Sequence, residues 1–245
     1  MLRSVKELSG YRIAALDGTA GALREFYFDD EKWLIRYLVV DTGKWLPGRL
    51  VLISPAAVSE PDWESKSIAV NLSKERIEKS PVADAARPVS RSFEIELLDY
   101  YGWPHDTIRP NSAQGSPGGT ATAAKTSTAV DESANLRSSR EVLGYAIEAT
   151  DGEIGHVQDL IFDDEAFVLR YAVADTGNWL PGRKVLVAVA WVERIDWPGR
   201  ALYVNLTKQQ VEDGPQFNPA EPVNRRYEAR LYDFYGRPRY WEQHG

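Results

Sequence analysis

The chain says the same thing twice at a spacing of 134 residues. Gly10-Tyr11, Asp17-Gly18, Phe28-Asp29-Asp30-Glu31, Arg36-Tyr37, Asp41-Thr42-Gly43, Val70-Asn71-Leu72 and Tyr101-Gly102 recur as Gly144-Tyr145, Asp151-Gly152, Phe162-Asp163-Asp164-Glu165, Arg170-Tyr171, Asp175-Thr176-Gly177, Val204-Asn205-Leu206 and Tyr235-Gly236. Trp45-Leu46-Pro47-Gly48-Arg49 recurs as Trp179-Leu180-Pro181-Gly182-Arg183. Leu2 to Pro104 aligns with Leu136 to Pro238 without a gap, and about half of the paired positions are identical. A unit of this length is a domain, not one turn of a solenoid. Whatever backbone one copy adopts, the other must be able to adopt too.

Within each unit the first part reads as β. Strands are expected over Tyr11 to Ala14, Gly21 to Asp29, Leu34 to Asp41, Leu50 to Ile53 and Ile68 to Leu72, with counterparts over Tyr145 to Ala149, Gly155 to Asp163, Val168 to Asp175, Lys184 to Val189 and Leu202 to Leu206. Asp17-Gly18 and Asp151-Gly152 carry the positive φ angles that tight hairpins need. Short strands with turn signals at near-regular spacing predict a small barrel or sandwich. The tail of each unit turns helical. Ser73 and Thr207 cap one short helix, and Gln210 completes a capping box that Arg76 breaks in the first copy. Ser90 and Asn224 cap a second helix that Gly102 and Gly236 end. Its apolar stripe runs through Phe93, Leu97 and Tyr100 or Tyr101, and through Tyr227, Leu231 and Phe234 or Tyr235.

The expected organisation is one unit over residues 1–105, a flexible linker rich in Ser, Thr, Ala, Gly and Pro over 106–134, and a second unit over 135–245. A coil of the linker's length spans about 30 Å root-mean-square, which permits side-by-side units without imposing them. Net charge is −7, which argues against a nucleic-acid partner. The absence of cysteine excludes disulfides and thiolate chemistry and fits a reducing cytoplasm, the expected location. The longest uncharged apolar run, Val185 to Val192, is too short to cross a bilayer, so no direct membrane insertion is expected.

These motifs together resemble the PRC-barrel family: Asp-Gly-x-x-Gly, a strand ending in Phe-Asp-Asp, Arg-Tyr-x-Val-x-Asp-Thr-Gly, Trp-Leu-Pro-Gly-Arg-x-Val-Leu, and Val-Asn-Leu followed by Ser or Thr and Lys. The resemblance covers both units and is nearest to the stand-alone bacterial members. It implies two tandem small bent β-barrels, each followed by C-terminal helices, in a mainly β protein. It also implies a docking module that holds protein assemblies together and has no general catalytic role. The chain lacks the membrane-spanning helix that anchors the family's photosynthetic reaction-centre H subunit. It also lacks the N-terminal domain of the family's ribosome maturation factor. Neither function transfers directly. A small-molecule-binding barrel and a reaction-centre-like assembly role at a membrane stand as alternatives.

Candidate protein-contact residues are Trp45, Leu46, Pro47, Arg49, Trp179, Leu180, Pro181 and Arg183, with Tyr101 and Tyr235. An indole, a proline and a rim arginine form the kind of surface enriched at interface hot spots. The competing reading is local: the Trp packs over the barrel mouth, Pro-Gly shapes the turn, and Arg49 or Arg183 pairs with Asp41 or Asp175. Tyr101 and Tyr235 sit at helix ends, either as a docking face or as a lid on the core. Asp29, Asp30 and Glu31, with Asp163, Asp164 and Glu165, lack the spaced ligands and Gly of a calcium loop and read as solvated hairpin tips. His105, His156 and His244 have no counterparts in the other copy, and no catalytic or zinc arrangement can be placed by spacing. No catalytic residue, metal or cofactor is expected, and the partner is another protein or the chain itself.

Overall fold

The computed structural model describes residues 1–43, 46–83, 89–104, 136–177 and 182–242. The protein is mainly β with short helices, as expected. In the first repeat the strands are β2 (Arg12–Ala15), β3 (Gly18–Asp29), β4 (Leu34–Asp41), β5 (Leu50–Ile53), β6 (Val58–Asp62) and β7 (Ser67–Val70). They pair in the order β6-β7-β2-β3-β4-β5, antiparallel except for the parallel β2–β7 pair. Two helices follow, α2 (Lys74–Glu78) and α3 (Arg91–Tyr101). The second repeat copies this with β9 (Ala146–Ala149), β10 (Gly152–Asp163), β11 (Val168–Asp175), β12 (Lys184–Ala188), β13 (Val192–Asp196) and β14 (Ala201–Val204), then α4 (Lys208–Asp213) and α5 (Arg225–Phe234). The linker 106–134 lies outside the described residues.

The long strands bend where the sequence makes them bend. Register shifts interrupt β3 against β4 between Leu23 and Glu25 and again between Tyr27 and Phe28. The same two breaks recur in β10 against β11, between Val157 and Asp159 and between Ile161 and Phe162. Bulges of this kind increase local twist and curl a sheet. Gly21 and Gly155 let the curl close tightly. Their φ angles are +141° and +133°, and a Cβ there would overlap the carbonyl oxygens of Asp41 and Asp175. The hairpin aspartates also tie sheet to helix: Asp17 accepts from the Lys74 N–H at 2.7 Å, and Asp151 from the Lys208 N–H at 2.8 Å. Each adds a carboxylate cap at a helix start.

The two units share one sheet. All strands belong to one open 14-stranded sheet. Two short strands, invisible to the sequence reading, make the join. β1 (Leu2–Ser4) opens the first repeat but pairs with β10 of the second, with Leu2 opposite Asp163. β8 (Leu136–Ser138) opens the second repeat but pairs with β3 of the first, with Leu136 opposite Asp29. Each repeat thus lends its first strand to the other. Between them β4 meets β11, with Leu34 opposite its own counterpart Val168. The Ile35 N–H donates to the Phe167 carbonyl at 2.7 Å, and the Leu169 N–H donates to the Trp33 carbonyl at 2.8 Å. Residue i contacts its own repeat-mate, the signature of a twofold interface, here within one chain.

The seam is apolar and closed. Phe26, Phe28, Ile35, Phe162 and Leu169 are all buried, and the Phe26 and Phe162 rings lie 5.3 Å apart. Trp33 and Phe167 hold φ angles of +56° and +51°, a conformation unfavourable for bulky side chains. Both aim a carbonyl at the opposite repeat, so the strain sits where the two halves are joined.

Candidate functional site

The loops singled out by sequence lie partly outside the described residues. Trp45, Trp179, Leu180 and Pro181 belong to the part not described. Of the remainder, Pro47 is exposed and Leu46, Arg49 and Arg183 are partly buried. The arginines do not pair with Asp41 and Asp175. Those aspartates instead accept from the N–H groups of Gly43 at 2.8 Å and Gly177 at 3.0 Å, closing their own turns. Arg49 donates from Nη2 to the Ser80 carbonyl, and Arg183 to the Gly214 carbonyl. Both acceptors lie at the C-terminal ends of α2 and α4, where carbonyls lack helical partners and a cation is favoured. The arginine therefore clamps loop to helix. Thr42 and Thr176 fix the loop base: their hydroxyls donate to the carbonyls of Arg49 at 3.0 Å and Arg183 at 2.8 Å.

Tyr101 and Tyr235 are buried in the core. Tyr101 stacks on Trp103 with centroids 4.1 Å apart, and Tyr235 lies 4.9 Å from Trp191. Burial pushes the Tyr235 phenol up to about 12. Both rings form part of the lid between helix and sheet.

The doubled acidic turns are closed by their own backbone. Asp29 accepts from the N–H groups of Glu31 and Lys32, each at 3.0 Å, and Asp163 does the same for Glu165 and Ala166. The next acid along reaches the exchanged strand of the other repeat. Asp30 pairs with Arg137 at 3.2 Å, and Asp164 pairs with Arg3 at 3.0 Å and with the N-terminal amine. Arg3 and Arg137 lie over the Trp63 and Trp197 rings, at 4.1 and 4.2 Å. These acids are clasps of the strand exchange. His156 is exposed on β10, and among the described residues no group of His, Asp and Glu could hold a metal ion.

The chemistry that sequence reasoning missed sits under α3 and α5. The helices bury Glu94 and Glu228, which are 3 % and 2 % exposed. The buried residues of α3 are Glu94, Leu97, Leu98 and Tyr101: Leu97 and Tyr101 belong to the expected stripe, Phe93 and Tyr100 are partly buried at its edge, and Glu94 and Leu98 are additions. In the first repeat the Tyr37 hydroxyl donates to Glu94 Oε1 at 3.0 Å and Arg36 Nη2 donates to the same oxygen at 3.1 Å. Desolvation pushes the Glu94 carboxyl above its usual range, against the pull of Arg36. In the second repeat Tyr171 and Tyr240 both donate to Glu228 Oε1 at 2.8 Å, and Arg225 lies 3.0 Å from Oε2. Arg170, the counterpart of Arg36, stacks 4.0 Å from the centroid of the Tyr240 ring.

That difference opens a groove. In the second repeat Tyr240 and Trp241 pack on Tyr232, with centroids 6.1 and 5.4 Å away. In the first repeat Leu98 stands where Tyr232 does, and Asp106, outside the described residues, where Tyr240 does. A groove of about 690 Å³ lies there, lined by Arg36, Tyr37, Pro55, Val58, Leu98 and Phe167 among others. Phe167 comes from the second repeat, so the strand-exchanged seam forms one wall.

Each repeat is a curled sheet, antiparallel but for one pair, followed by two short helices. Residues 135–211 match the family model of the PRC-barrel domain. The match lies within the second repeat, and the first repeat has the same strands in the same order. An uncharacterized protein of Deinococcus radiodurans is 30% identical over 92 residues, which make up 37% of this chain and 31% of that protein. This chain thus matches less than a third of that relative's length. No helix among the described residues is long and apolar enough to cross a membrane.

Proposed function

We propose that the chain is a non-catalytic protein-interaction module of bacterial cytoplasm, built from two PRC-barrel units over 1–105 and 135–245 and joined by 106–134. The observation that carries this reading is the mutual strand exchange. It joins two similar units through one sheet, so that their surfaces are presented in pairs about a pseudo-twofold axis. A doubled, fixed surface suits avid contact with a partner or scaffold. The buried polar groups also serve structure: Tyr37 and Tyr171 give their hydroxyls to Glu94 and Glu228 beneath the helices.

The test is affinity purification after crosslinking in the native cell, with light scattering of the purified chain. Recovery of a protein at fixed stoichiometry, or a defined self-assembly, is expected. A metabolite that stabilises the chain saturably in a thermal-shift screen, with no protein partner and no self-association, would replace this reading with a small-molecule binder.

A further inference from the structure

The second repeat shows what its groove accepts, because its own C-terminal segment lies in it. Tyr240 contributes a ring to the Arg170 guanidinium and a hydroxyl to buried Glu228. Trp241 stacks edge-on against Tyr232, 5.4 Å away, and lies under Arg225 at 4.4 Å. Arg239 fastens the segment to Asp233 at 2.8 Å. In the first repeat Arg36, Tyr37, Glu94 and Arg91 occupy the corresponding positions, and among the described residues nothing fills the groove beside Arg36, Tyr37 and Leu98. The smaller Leu98 in place of Tyr232 leaves more room. Ile95, half-exposed on α3, lies one turn from Arg91 and Leu98 on the same side.

We propose that this groove docks an aromatic, arginine-bearing segment of a partner protein, held as Tyr240 and Trp241 are held in the second repeat. The inference rests on the protein-interaction reading and names its surface. The chain's own residues 105–135 contain no Phe, Tyr or Trp, so they offer no ring to copy Tyr240. The basic flank follows Arg239, which fastens the second repeat's segment to Asp233; Asp99 is the matching residue of the first repeat. Arg36 marks the resting state. Tyr37 supplies one hydroxyl to Glu94, and where the second repeat adds that of Tyr240 the Arg36 guanidinium donates instead, at 3.1 Å. On docking, the incoming hydroxyl donates to Glu94 and Arg36 swings flat against the incoming ring, the arrangement of Arg170 and Tyr240.

The probe is a synthetic peptide of residues 236–245, Gly-Arg-Pro-Arg-Tyr-Trp-Glu-Gln-His-Gly, titrated calorimetrically into the full chain. Wild type is expected to bind one peptide per chain. A full-length Tyr240→Ala, Trp241→Ala variant, whose second groove is emptied, is expected to bind two. Leu98→Trp, checked for folding by circular dichroism, fills the first groove and is expected to abolish wild-type binding. A peptide with Phe in place of Tyr240 is expected to bind roughly tenfold more weakly, the loss of one hydrogen bond to a charged acceptor. No binding to wild type and one peptide on the double variant would overturn the proposal, because only the second groove would then read the motif. No binding to either protein would overturn it as well. A wild-type dimer that the peptide dissociates would make a second copy the occupant and overturn the assignment to a partner. If Leu98→Trp keeps every crosslinked partner, this docking site falls and the interaction reading stands. If the chain has no protein partner and no self-association, the interaction reading itself falls.

Discussion

The helices α3 and α5 bury the same carboxylate and satisfy it in two different ways. Under α3, Glu94 pairs with Arg36, which is itself only 6 % exposed, and the charges neutralise each other inside the protein. Under α5, Glu228 draws on two tyrosine hydroxyls and on Arg225, whose side chain is 57 % exposed. The added hydroxyl comes from a C-terminal aromatic segment that the first repeat lacks. Duplication preserved the costly buried acid, and divergence changed only its partners. A buried carboxylate tolerates a change of donors but not their loss.

The comparison can be broken most sharply at the carboxylates. Glu94→Gln leaves buried Arg36 with only the more distant Asp29, 3.9 Å away, as counter-charge and is expected to cost about 3 kcal/mol. Glu228→Gln leaves an arginine that reaches water and keeps an acceptor for both tyrosines, and is expected to cost only about 1–2 kcal/mol. Urea unfolding of each variant measures the difference, and equal losses would contradict the asymmetry described. The glycines test the opposite point, that the backbones are the same. Gly21→Ala and Gly155→Ala each drive a Cβ into a carbonyl at positive φ and are expected to cost about 2–4 kcal/mol, alike in both repeats. A large inequality would mean that the curl differs between them. Tyr240→Phe removes one hydroxyl from Glu228 and is expected to lower stability by about 1 kcal/mol, without changing the protection of amides in the first repeat.

The smallest effect concerns pH. Burial pushes the Asp159 carboxyl above its usual range, although Ser4 and the Lys6 N–H stabilise its charged form. The folded protein therefore holds that proton over a pH interval in which the unfolded chain has released it. Stability contributed by the protonated acid is present below the ordinary aspartate value and is lost as pH rises through the raised one. Chemical unfolding between pH 4 and pH 7 is expected to show a shallower decline for Asp159→Asn than for wild type. An unchanged slope would remove Asp159 from this account.

Local signals carried most of the fold. The Asp-Gly hairpins, the Ser73, Thr207, Ser90 and Asn224 caps and the β3 and β10 strands were all legible, because each depends on neighbours in the chain. What was not legible is nonlocal. β1 and β8 are three residues each, and their partners lie in the other repeat. Arg49 and Arg183 looked like partners for nearby aspartates, yet the nearest unsatisfied acceptor proved to be a helix-end carbonyl more than thirty residues away. Glu94 and Glu228 carry no local signal of burial, because an acidic residue on a helix normally faces water. The available clue was the repetition of Arg-Tyr and Glu together in both copies.

The central claim is that two repeats form one body through a twofold seam, and hydrogen exchange in the native full-length protein tests it most directly. The Ile35 and Leu169 amides are the two donors that cross the seam reciprocally. Both are expected to exchange only through global unfolding, as slowly as the amides inside β4 and β11. Fast exchange at both positions, with the rest of β4 and β11 still protected, would show two units that merely touch.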